Sequence, residues 1–265
     1  VAQCTLHRNL SDFPFTSRCS EEERRQVRDR VRAALDSLNL LATGTFYDTG
    51  ELEGRELQLL AERRLVTTEF LTSPEPRGVY VADDQGLCIM VNGAEHVTLR
   101  ALAAGGQVQD AWARLNLLDD TLSGMLDFAF DSRLGYLTSR LERVGTGLVS
   151  GVLLHLPALV HLSRLPGLGD AGRGQHLNLH AIRVGVDEPR LLGRITTSGP
   201  LQEGGERRQL VNQALYTNAA GAEPAKTAET VGDLFLLSNE SSLGVSEEEQ
   251  VFHLAAPKGS AGVGI

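Results

Sequence analysis

Gly167-Leu-Gly-Asp-Ala-Gly172 has the spacing of a glycine-rich phosphate turn, and His176 and His180 stand four apart, a separation suited to metal ligation on a helix. Neither context fits its chemistry. A dinucleotide turn needs a strand before it and a helix after it, whereas Pro166 precedes this one. The following run, Gln175-His-Leu-Asn-Leu-His-Ala-Ile-Arg-Val184, alternates like a strand, and no third ligand joins the histidines, so no metal is expected. No Walker A word or Gly-x-Ser-x-Gly elbow occurs. His155 lies among apolar neighbours and reads as a core histidine. What remains is a scatter of arginines and carboxylates, whose meaning depends on the elements that bring them together.

Those elements are partly legible. Ser20-Glu-Glu-Glu23 is a capping box that should open a helix with Val27, Val31, Ala34, Leu35 and Leu38 on its apolar side. Its other face, including Arg28-Asp-Arg-Val-Arg-Ala33, reads as solvated charge. A second helix is expected over about 51–65. Gly78-Val-Tyr-Val-Ala82 and Leu87-Cys-Ile-Met-Val91 flank a polar turn and predict an antiparallel hairpin. A helix over roughly 111–130 would present Trp112, Leu115, Leu118, Leu122, Met125 and Leu126. Strands are expected at 175–184 and 233–237, and Ser246-Glu-Glu-Glu249 is a second capping box for a closing helix. Residues 189–230 accumulate Gly, Ala, Glu, Thr and Pro and read as a surface insertion, with a hairpin at 191–197. Helices and antiparallel hairpins in irregular alternation indicate α+β.

Bulk properties narrow the function. With 42% hydrophobic and 22% charged residues, the 265-residue chain is an ordinary globule. A net charge of −9 argues against nucleic acid or an anionic membrane as partner. Between Val144 and Ser163 no Asp, Glu, Lys or Arg occurs, but three glycines, Pro157 and two histidines make a buried core element the better reading than a membrane span. Three cysteines without C-x-x-C spacing, and no leader-like start, point to a reducing, cytoplasmic setting.

Asp127-Phe-Ala-Phe-Asp-Ser-Arg-Leu-Gly-Tyr-Leu-Thr138, Val144-Gly-Thr-Gly147 and His155-Leu-Pro-Ala-Leu-Val160 resemble framework words of the ATP:guanidino phosphotransferase (phosphagen kinase) catalytic domain, in the manner of bacterial protein arginine kinases. Arg8-Asn-Leu-Ser-Asp-Phe-Pro-Phe15 and Ser238–Glu249 extend the likeness. It implies one catalytic domain over 1–265: the glutamine-synthetase-like guanidino-kinase fold, a large curved antiparallel sheet flanked by helices. The reaction it implies needs a cationic cradle for ATP phosphates and carboxylates that orient a guanidinium.

By the same resemblance, several chemical positions depart from the family. The phosphate arginines fall on Gln3, Thr5 and Val149, while Arg8 and Arg183 are retained as candidate nucleotide contacts. The guanidinium-gripping carboxylate falls on Gly93 and the substrate-holding thiol on Arg140, which leaves Glu95 and Glu188 as remnant catalytic carboxylates. Losing one preorganised donor costs about 3–4 kcal/mol, so these losses together imply a rate reduction beyond about 10⁵-fold. The resulting expectation is a pseudoenzyme that needs no cofactor and binds a protein partner in a regulatory role. Two alternatives stay open: an active arginine kinase using ATP and Mg through a rearranged site, and a structural subunit of a larger assembly. A homo-oligomer also stays open.

Overall fold

The computed structural model describes residues 1–161, 177–181, 234–239 and 246–255. In chain order its elements are β1 (Ala2–Arg8), α1 (Glu21–Ser37), β2 (Gly44–Asp48), α2 (Gly54–Glu62), α3 (Thr68–Thr72), β3 (Gly78–Ala82), β4 (Leu87–Val91), β5 (Val97–Ala103), α4 (Val108–Ser123), β6 (Phe130–Asp131), β7 (Gly135–Tyr136), β8 (Leu148–His155), α5 (Pro157–His161), β9 (Leu177–Ala181), β10 (Leu234–Asn239) and α6 (Glu247–Ala255). They fall into two compact units. The first, Val1–Gly151 with Ser241–Ile265, holds the antiparallel run β2-β3-β4-β5-β1, with β8 beginning beside β1. The second, Val152–Glu240, holds the end of β8, α5, and β9 paired antiparallel with β10. Arg183, Glu188, the glycine-rich turn, His176 and the 189–230 insertion lie outside the described residues.

Local sequence starts the helices. Ser20 Oγ accepts the Glu23 N–H at 3.2 Å and the Glu23 carboxylate accepts the Ser20 N–H at 2.7 Å, so both halves of the capping box form and α1 begins there. Ser246 Oγ likewise accepts the Glu249 N–H at 3.2 Å and opens α6. The helix predicted over 111–130 is shorter and earlier. α4 stops at the Gly124 C-cap, and the next residues join other chain segments: Ala129 N donates to Asn9 O at 2.7 Å and Phe128 bridges Leu10. Tertiary pairing overrides the helical period there.

Strand side chains alternate between faces, so register decides what meets what. Thr5 lies opposite Arg100 and His7 opposite Thr98, and Cys88 and Met90 stand opposite Arg100 and Thr98 in turn. These residues therefore share one face with Val79, where Leu65, Val66 and Phe70 pack on the apolar part. The other face carries Cys4, Leu6, Arg8, Leu99 and Ile89 and receives α4, with Cys4 Sγ donating to Val108 O at 3.7 Å. All three cysteines are buried free thiols, and burial pushes Cys4 and Cys88 up to about 12.

On the α4 face a single guanidinium gathers five segments. Arg8 is fully buried, its Nε and Nη2 donating to the two Asp119 carboxylate oxygens at 3.0 and 2.6 Å. Nη1 donates to His7 O at 3.0 Å and Thr146 O at 2.7 Å, and the guanidinium carbon lies 3.5 Å from the Tyr136 ring centroid. Glu247 of α6 stands 3.8 Å from Nη2. Burial, reinforced by Asp119, Glu248 and Asp120, raises Glu247 to about 7 against the pull of Arg8. Gly147 makes the approach possible: at φ +70° a Cβ would sit 2.6 Å from His7 O and 2.7 Å from Arg8 Nη1.

Asp119→Asn leaves this buried cation without its paired carboxylate and should cost about 3–5 kcal/mol of unfolding free energy by urea denaturation. Asp120→Asn, on the exposed side of α4, should stay within about 0.5 kcal/mol. Equal effects at the two positions would refute the importance of the Arg8 node.

Candidate functional site

The turn from β4 to β5 carries the Asn92–His96 word, and β1 ends against it. Asn9 Oδ1 accepts the His96 N–H at 3.0 Å, while Asn9 Nδ2 donates to Glu95 Oε2 at 2.6 Å and Leu137 O at 3.1 Å. Glu95 is fully buried. It accepts further from Ser139 N at 3.1 and 3.0 Å and from Ser139 Oγ at 2.6 Å. His96 Nδ1 accepts the Leu10 N–H at 3.0 Å, which places the ring proton on Nε2, facing Pro14 O at 2.9 Å and Cys19 Sγ at 3.4 Å. Burial lowers His96 from 6.5 to about 4. Glu95 is thus a latch between strands, with its oxygens already occupied by donors.

Nothing at the neighbouring positions replaces it. Asn92 adopts φ 61° and its amide donates to Arg24 O at 2.7 Å and Pro76 O at 2.8 Å, which fixes the turn. Gly93 is buried, and a Cβ there would lie 3.2 Å from Phe70 Cδ2. Arg140, expected at the thiol position, donates from Nη2 to Glu69 Oε1 at 2.5 Å, so its cation is already paired on a half-exposed loop.

The sheet face opposite α4 holds cations that the sequence analysis did not single out. Arg100 is buried beside Thr5, donating from Nε to Thr5 Oγ1 at 3.1 Å and from Nη1 to Arg64 O at 3.0 Å. Burial, then the nearby Arg64 and Arg143 charges, bring Arg100 down to about 10. Arg64 is half-buried, and its Nε has no hydrogen-bond partner among the described residues. Arg143 is half-buried too; burial and Arg140 lower its pKa, against the opposing pull of Glu69, Glu95 and Glu142. His7 on β1 sits in this field and is held well below the usual imidazole range by burial, then Arg143, Arg100, Arg8 and Arg140. The Thr98-Leu-Arg100 alternation was the available signal, but only the β1–β5 register places Arg100 at Thr5.

The expected site residues therefore separate. Gln3 and Thr5 are buried on the face that carries Arg100, as their β1 register dictates. Arg8 alternates to the other face, with its donors committed to Asp119 and backbone carbonyls, so the structure does not bring it to the Arg100 cluster. Val149 lies half-buried on β8. Arg183 and Glu188 lie outside the described residues. Among the described residues, no helix is long and apolar enough to cross a membrane and no His/Cys/Asp/Glu group could hold a metal ion.

Residues 26–189 match the family model for the ATP:guanido phosphotransferase C-terminal catalytic domain. The chain is 31% identical over 254 residues to the protein-arginine kinase of Symbiobacterium thermophilum, covering 95% of this chain and 60% of that protein. It is 31% identical over 250 residues to the protein-arginine kinase of Pelotomaculum thermopropionicum, covering 93% and 59%. The chain thus spans about 60% of the length of these curated relatives. Its fold is that of solved phosphagen kinases. A Schistosoma mansoni taurocyamine kinase bearing transition-state-analogue components superposes with TM-score 0.70 at 19% identity, covering 96% of this chain and 31% of that one. Lombricine kinase gives 0.68 at 19% identity, covering 96% and 62%.

Two expectations follow from the latch. His7 and His96 are neutral when folded, whereas the unfolded chain takes up protons below about pH 6.5, so their contribution is whole above that pH and is lost on acidification toward 4. Unfolding free energies from urea titration should fall between pH 6.5 and 5, by at most about 1.4 kcal/mol per pH unit for each histidine; a flat profile would contradict the neutral assignment. Gly93→Glu, which returns a carboxylate to that position, should press on Phe70 and lower stability by about 1–3 kcal/mol, with Phe70→Leu in the same chain recovering part of the loss.

Proposed function

The chain belongs to the ATP:guanido phosphotransferase family, and on that footing we propose that it is a catalytically degenerate relative of protein-arginine kinase that acts by binding a protein partner in a regulatory role. One observation carries the reading. The carboxylate nearest the expected guanidinium grip, Glu95, is fully buried and held by Asn9 and Ser139, while Gly93 offers no side chain. A carboxylate whose oxygens already accept hydrogen bonds from Asn9 and Ser139 has little reach left to orient an incoming guanidinium. The Arg140 cation, paired with Glu69, would further repel such a substrate. On this reading neither ATP nor Mg is required for function, and the partner is a protein, consistent with the −9 net charge.

The cations on the β1–β5 face favour a second reading, an active ATP-dependent protein arginine kinase with a rearranged site. That reading needs a carboxylate other than Glu95, and Glu188 is its candidate. The deciding experiment incubates the chain with Mg-ATP and an arginine-rich protein and follows acid-labile phosphoarginine by ³¹P NMR. The degenerate reading expects none above background. Stoichiometric or greater phosphoarginine, abolished by Glu188→Gln, would establish the active one.

A further inference from the structure

We propose that Arg64, Arg100 and Arg143 form a binding site for a terminal phosphoryl group, assembled from positions other than Gln3, Thr5 and Val149. The inference deepens the reading of this same site, but it rests only on the family's sheet face and not on the loss of transfer chemistry.

Four observations converge on it. Arg100 reaches Thr5 across the β1–β5 pair, so a guanidinium stands on β5 beside the β1 position that lost one. Its Nη1 binds the Arg64 backbone carbonyl, which brings the start of the segment after α2 against the same face. Arg64 keeps a buried Nε–H without a partner among the described residues, and such a donor is costly to bury unless something accepts from it. No described hydrogen bond or ion pair satisfies the Arg143 side chain, although its field reaches His7 and Arg100.

Charge balance points the same way. Of the carboxylates near Arg143, Glu69 is paired with Arg140 at 2.5 Å and Glu95 is held by Asn9 and Ser139, while the adjacent Glu142 is exposed to solvent, which screens its charge. Arg64 and Arg143 repel the Arg100 guanidinium, and Arg143 and Arg100 depress the neighbouring His7 imidazole, so this face carries a self-repulsion that a multiply charged oxyanion relieves. Guanidinium forks match phosphate oxygens in geometry as well as charge. His7, neutral and buried, adds no competing positive charge, and Thr98 Oγ1 lies 3.5 Å from its Nδ1. A phosphate monoester, pyrophosphate or nucleotide tail all present the required group.

Isothermal titration at low salt with inorganic phosphate, pyrophosphate and Mg-ATP tests the site. Saturable binding of pyrophosphate or ATP is expected, tighter than inorganic phosphate and weakening steeply with added salt. ATP binding much tighter than pyrophosphate identifies a nucleotide, and equal affinities identify the phosphoryl group alone; either result supports the site. Arg143→Gln and Arg64→Gln, both half-buried and so tolerable to the fold, should each weaken binding roughly ten- to hundredfold. Arg30→Gln, a surface control paired with Asp12, should leave it unchanged. No saturable binding of any of the three ligands, or binding indifferent to Arg64 and Arg143 in variants that unfold like the parent, would overturn the proposal. Phosphoarginine formation would count against the degenerate reading alone and leave this site standing.

Discussion

A charge buried without water must be neutralised on the spot, and Arg8 is where this chain meets that requirement. Its guanidinium has no exposure, so removing it from solvent costs several kcal/mol that must be offset by well-placed partners. Asp119 supplies the counter-charge, Thr146 and His7 the carbonyls, and Tyr136 the ring face. Those partners come from α4, the loop before β8, β1 itself and the β6–β7 hairpin. The order of these segments around β1 therefore follows from one side chain's need for acceptors. Gly147 is the steric condition for the same arrangement.

Fixing Arg8 toward α4 also fixes everything else on β1. Alternation sends Thr5 and His7 to the opposite face, where they meet Arg100 and Thr98. One face is thereby a closed, satisfied structural interior, and the other keeps cations whose donors are only partly used. Asn9 and Glu95 repeat the pattern at the strand end, where a buried carboxylate ties two chain segments together.

What could be read in advance divides by range of interaction. The Ser20 capping box, the Ser246 cap and the 78–91 hairpin are local, involving residues within a few positions, and they form where the sequence predicts them. The framework words between Asp127 and Val160 gave the fold through resemblance. The far end of α4 departs from the helical period because Phe128 and Ala129 pair with Leu10 and Asn9 more than a hundred residues earlier, which no local pattern reveals. The site suffered likewise. A resemblance that sets family arginines at the Gln3 and Thr5 positions says nothing about a neighbour on β5 that becomes adjacent only through strand register. Arg8 was retained in type, but its committed donors depend on Asp119 and Thr146, both distant in sequence.

The sealed thiols carry a practical corollary. Cys4 and Cys88 titrate near 12 because no water reaches them, and Cys19 is raised as well beside His96. At neutral pH almost no thiolate exists for an alkylating or oxidising reagent to attack. Cys4 lies against α4 and Cys88 beneath α2 and α3, so each can react only when its own helical cover lifts. The chain thus contains built-in probes of partial opening on either side of its sheet, and their separate labelling rates would tell which layer breathes first.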